Sequence, residues 1–83
     1  GAITMNSVSV YPNPSANSIS IDWGELDAQQ IRIVDPLGSE IKMLDVATLT
    51  STSFTIQEWI AGTYFIEIYD QKGKRIVSRF VVE

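Results

Sequence analysis

Apolar and polar residues alternate with a period of two through most of this chain. Val8 and Val10 are separated by Ser9, and Ile19, Ile21 and Trp23 by Ser20 and Asp22. Ile31 and Ile33 flank Arg32, Phe54 and Ile56 flank Thr55, and Tyr64, Ile66 and Ile68 alternate with Phe65 and Glu67. Short runs of this kind, rich in β-branched and aromatic side chains, predict strands that bury one face. Between them stand turn formers: Pro12-Asn13-Pro14, Asp35-Pro36-Leu37-Gly38, Ala61-Gly62 and Asp70-Gln71-Lys72-Gly73. No segment has a convincing helical period, although residues 24–30 and 57–60 could each form one helical turn. The pattern predicts an all-β fold, an immunoglobulin-like antiparallel β-sandwich of about seven short strands.

One stretch of the chain echoes another. Residues 31–41 and 66–76 both read apolar-x-apolar-x-Asp-x-x-Gly-x-x-Ile, with Asp35 and Gly38 matching Asp70 and Gly73. The aspartate suits the first position of a type I turn, where its carboxylate accepts backbone N–H bonds, and Pro36 suits the second by its fixed φ. The glycine then supplies the left-handed conformation that closes the hairpin through a bulge. Two like hairpins predict equivalent elements in two facing sheets. Tyr64, just after a tight turn and at the start of a long strand, resembles the tyrosine corner of such sandwiches, in which the ring packs inward and the hydroxyl bonds a nearby backbone group.

Composition narrows the chemistry. The 83 residues are 45% hydrophobic, enough for a folded core and one domain. A domain of this size buries only roughly 60–65% of its unfolded surface, so that core is thin. Cys and His are absent, which removes thiol catalysis, disulfides, thiolate metal sites and the commonest general base. The net charge of −4 disfavours nucleic acid as a partner. It is also uneven: residues 1–69 carry −6 and residues 70–83 carry +2. No apolar run reaches the ~20 residues of a membrane-spanning helix, and residues 1–7 read as a linker or a cloning remnant.

The remaining candidates for chemistry have simpler readings. Asp22, Glu25 and Asp27 form an acidic cluster, but without the alternating ligands and central Gly of a calcium loop it reads as a solvated turn. Nothing in the pattern forms a cleft for a carboxylate pair. Trp23 and Trp59 could stack on sugars, but Trp23 keeps phase with Ile19 and Ile21 and is expected in the core. Neither an enzyme nor a cofactor nor a small-molecule substrate is expected.

Three motifs, in order, resemble a known family. Val8-Ser9-Val10-Tyr11-Pro12-Asn13-Pro14 followed by residues 17–21 resembles the opening of type IX secretion (Por secretion) C-terminal sorting domains, type A. Residues 31–38 look like the family's second motif, a strand closed by Asp-x-x-Gly at Gly38. Residues 59–82 are similar to the third, with Gly62 and Tyr64, a hydrophobic strand, the turn at Gly73 and a final apolar strand. Many members finish on a basic residue, whereas this chain finishes on Val82-Glu83, which shifts the weight of recognition to Phe80, Val81 and Val82. Two prolines that cannot donate hydrogen bonds also make residues 11–14 a rigid strand exit, with pairing expected to stop at Tyr11.

The resemblance implies that residues 8–83 are a sorting domain carrying a larger N-terminal parent protein out of Bacteroidetes-type bacteria. Its implied partners are components of the outer-membrane translocon and a sortase-like peptidase that removes it, with the parent passing from the periplasm to the cell surface or the medium. The residues expected to be read are Tyr11, Pro12, Asn13, Pro14, Gly38, Gly62, Tyr64, Gly73, Lys74, Arg75, Arg79, Phe80, Val81 and Val82. The final strand, residues 74–82, is the favoured element, because a terminal strand at a sheet edge can add a partner strand. The exposed edges of so small a sandwich also suit a weak dimer. The competing expectation is an immunoglobulin- or fibronectin-like accessory module that binds carbohydrate or a protein surface.

Overall fold

A computed structural model describes residues 8–12 and 16–83. The assignments of residues 1–7, and of Asn13 and Pro14, fall outside these. The described residues form seven strands: β1 (Ser9–Tyr11), β2 (Ser18–Asp22), β3 (Ala28–Val34), β4 (Glu40–Asp45), β5 (Ser51–Thr55), β6 (Gly62–Asp70) and β7 (Arg75–Val82). They form two antiparallel sheets, one ordered β1-β2-β5 and the other β4-β3-β6-β7. The segments expected to make single helical turns do not. Residues 24–26 are a turn and bend, and β3 already begins at Ala28. Residues 57–59 form a tight turn that places the Trp59 N–H 3.0 Å from the Ile56 carbonyl.

The core is the set of side chains that the alternation singles out. Ile19, Ile21, Ile31, Ile33, Ile66 and Ile68 are buried, together with Trp23, Tyr64, Phe80 and Val82. Trp23 sits in the core as its phase predicts, and its indole N–H donates to the Leu49 carbonyl at 3.0 Å, which removes the cost of burying that polar atom.

The two like hairpins lie in one sheet, not in facing sheets as their spacing suggested. β3 pairs directly with β6, placing Ile31 opposite Ile68 and Ile33 opposite Ile66. The repeated isoleucines therefore meet crosswise and form one continuous apolar face. Each hairpin can bury its isoleucines most fully by lying beside the other and sharing a single cover, the smaller sheet. The turns themselves match closely. Asp35 Oδ1 accepts the Leu37 and Ser39 amides at 2.9 and 2.8 Å, and Asp70 Oδ1 accepts the Lys72 and Lys74 amides at 2.8 Å each. Gly38 and Gly73 close the turns at φ +93° and +83°, a region in which a Cβ would be strained.

Candidate functional site

Among the described strands, the final strand β7 is an edge of the four-stranded sheet, paired with β6 on one side. Alternation divides its side chains. Ile76, Ser78, Phe80 and Val82 point towards the smaller sheet, while Arg75, Val77, Arg79 and Val81 point outward, with Val77 51% and Val81 40% exposed. Of the apolar residues expected to be read at the chain end, Phe80 and Val82 are thus core residues, and Val81 alone reaches the surface.

An aromatic cluster fixes that strand. The Phe80 ring stacks on Tyr64 at 5.5 Å between centroids, Trp59 lies 5.1 Å from Tyr64 and 6.4 Å from Phe80, and Phe54 lies 5.6 Å from Trp59. The cluster links β5 of one sheet to β6 and β7 of the other, and it occupies Trp59 in packing. Tyr64 adds a polar tie, its hydroxyl donating to the Ile60 carbonyl at 2.6 Å, the corner geometry that its position predicts. Burial, reinforced by the nearby Asp35 carboxylate, pushes the Tyr64 hydroxyl above its ordinary pKa.

Gly62 meets the hairpin turn of β3 and β4. A Cβ at Gly62 would lie 2.7 Å from Pro36 Cγ, and its φ is +145°. Two of the recognised motifs, the Asp-x-x-Gly turn and the Gly-x-Tyr strand start, therefore touch through Pro36 and Gly62. The strand register places most candidates at this end of the sandwich: Gly38, Gly62, Tyr64 and residues 80–82, with Tyr11 and Pro12 close to the same end on the smaller sheet. β1 ends at Tyr11, where the prolines predict it should, and the Tyr11–Pro12 peptide bond is cis. Gly73, Lys74 and Arg75 lie at the opposite end, beside Tyr69 and Asp70. Arg79 stands between the two groups along β7.

The sequence reading missed an ionic network on the outer face of the larger sheet. Arg32 Nη1 donates to Glu67 Oε1 at 2.8 Å and Arg32 Nε to Glu40 Oε1 at 2.9 Å, while Tyr69 Oη donates to Glu67 at 2.8 Å and Arg75 Nη1 lies 3.5 Å from its second oxygen. The Arg32 guanidinium and the Tyr69 hydroxyl hold the Glu67 carboxyl below the usual carboxylate range. A signal for this was present, because Arg32 and Glu67 occupy equivalent positions in the echo. It becomes legible once the two hairpins share a sheet.

The acidic residues at the other end serve turns. Asp22 Oδ1 accepts the Gly24 amide at 2.9 Å, and Asp27 Oδ1 accepts the Gln29 side-chain amide at 3.4 Å. Among the described residues, no three acidic side chains converge as a metal site would need.

The family model of the secretion system C-terminal sorting domain matches residues 9–83. The chain belongs to this family. It is a type IX secretion sorting domain, a family of export signals and not of enzymes. No curated protein matches the chain significantly. Membership implies a parent protein, the type IX machinery as partner and export across the outer membrane. The sorting domain's three motifs map onto the opening strand, the β3–β4 hairpin and the β6–β7 hairpin of the fold.

Proposed function

We propose that this sorting domain is read by the translocon through the edge strand β7, and that a sortase-like peptidase then removes it and attaches the parent to a surface lipopolysaccharide. The family match over residues 9–83 carries the sorting role on which this reading is built. The position of β7 supports the choice of element. An edge strand offers main-chain donors and acceptors to an incoming strand, and Arg75 and Arg79 on its outward face would speed encounter with an acidic partner.

Placement of the side chains decides how this is tested. Deleting the last five residues would remove Phe80 and Val82 from the core, so lost export would report unfolding as readily as lost recognition. Substituting Arg75→Glu, Val77→Asp and Arg79→Glu changes the outward face alone. A reporter carrying this triple variant should stay in the periplasm of a host with a working type IX system, with the domain still melting cooperatively. Export at the unsubstituted level would remove β7 as the recognition element and leave the sorting role standing.

A further inference from the structure

The two edges of the larger sheet carry opposite charge in matching order. Three rows of side chains cross its outer face. One runs Asp45, Gln30, Tyr69, Arg75; the next Met43, Arg32, Glu67, Val77; the third Glu40, Val34, Phe65, Arg79. Each row starts on β4 and ends on β7, so β4 presents acid, apolar, acid where β7 presents base, apolar, base. Three antiparallel pairings separate the two edges, so β4 and β7 also run in opposite directions. Among the described strands, β4 pairs with β3 alone, and over Arg75–Arg79 β7 pairs with β6 alone. Met43 is 46% and Val77 51% exposed.

We propose that the sorting domain self-associates head to tail, with β4 of a second copy adding antiparallel to β7 of the first. Strands lie about 4.7–4.9 Å apart, so a copy displaced by roughly 19 Å across the sheet continues it. Arg75 then faces Asp45, Val77 faces Met43 and Arg79 faces Glu40. The charges also reject the symmetric alternatives, because β7 on β7 sets base against base and β4 on β4 sets acid against acid. The contact is heterologous, leaving a β4 free at one end of the assembly and a β7 at the other. Two features keep the paired stretch short and the association weak. Ile41 is skipped where the register breaks opposite Ile33 and Val34, and Lys42 points inward, its Nζ 5.2 Å from the centre of the Phe54 ring. This self-association does not depend on what the translocon reads, since it is measured on the isolated chain.

Sedimentation velocity of residues 1–83 from micromolar to millimolar concentration tests it. Association should rise with concentration and weaken roughly tenfold when salt is raised to about 1 M, where the screening length falls to roughly 3 Å. Arg75→Glu with Arg79→Glu, and Glu40→Lys with Asp45→Lys, should each give a monomer. An equimolar mixture of the two variants should associate again, because each supplies the edge the other now needs. Glu40 also bonds Arg32, so the single changes Arg75→Glu and Asp45→Lys repeat the exchange without touching that contact, and circular dichroism checks that each variant is folded. A wild-type chain that stays monomeric throughout, variants that associate as the wild type does, or a mixture that stays monomeric would each overturn the proposal.

Discussion

Tyr64 and Glu67 show how single side chains of β6 hold two surfaces together. The Tyr64 hydroxyl donates to the Ile60 carbonyl while its ring stacks on Phe80. Tyr64→Phe keeps the ring and should cost about 1 kcal/mol, read as a melting point lower by roughly 4–8 °C for a domain of this size. Gly62→Ala combines an unfavourable φ with a methyl pressed on Pro36. It should cost about 1–3 kcal/mol by chemical denaturation. Glu67 predicts a pH dependence. Its carboxyl is held below its ordinary value of 4.5 by Arg32 and Tyr69, so its contribution is complete above that value and is lost as the pH falls below it. Denaturant titrations between about pH 5 and pH 2 should therefore show a shallower loss of stability in Glu67→Gln than in the wild type.

At the scale of elements, the two Asp-x-x-Gly hairpins are near copies in geometry. Each aspartate accepts two backbone amides at almost the same distances. Asp35→Ala and Asp70→Ala should therefore destabilise to a similar degree, about 1–2 kcal/mol each. A cost confined to one turn would break the equivalence. The period-2 runs at Ile19, Ile31 and Ile66 fixed which faces are buried, and the turn chemistry fixed the hairpins, because both are local properties of the chain. Which hairpin lies beside which is decided by pairing between strands distant in sequence, and the echo alone placed the hairpins in facing sheets. The Arg32–Glu67 contact was hidden for the same reason. Residues 24–30 looked open to a helical turn because Gly24 and Glu25 break the alternation, yet tertiary pairing extends β3 back to Ala28.

For the whole molecule, the sandwich explains why the chain's last residues serve the fold and the surface at once. Phe80 and Val82 close the core from the final strand, whereas Arg75, Val77 and Arg79 of the same strand face outward. Phe80→Ala should cost about 3–5 kcal/mol, a large part of the roughly 5–15 kcal/mol that holds a domain folded. The motifs of the candidate site were legible because they combine turn residues with strand periodicity. The division of their residues into buried and exposed sets was legible only in part, since the bulge at Ile41 and the packing of Trp59 depend on neighbours from other strands. The most direct test of the sorting role is a reporter with a periplasmic signal fused ahead of residues 1–83, expressed in a bacterium with a working type IX system. The account predicts reporter outside the cell, and reporter held in the periplasm when the translocon is deleted. Retention in both strains, with the fusion folded and the host's own cargo exported, would contradict it.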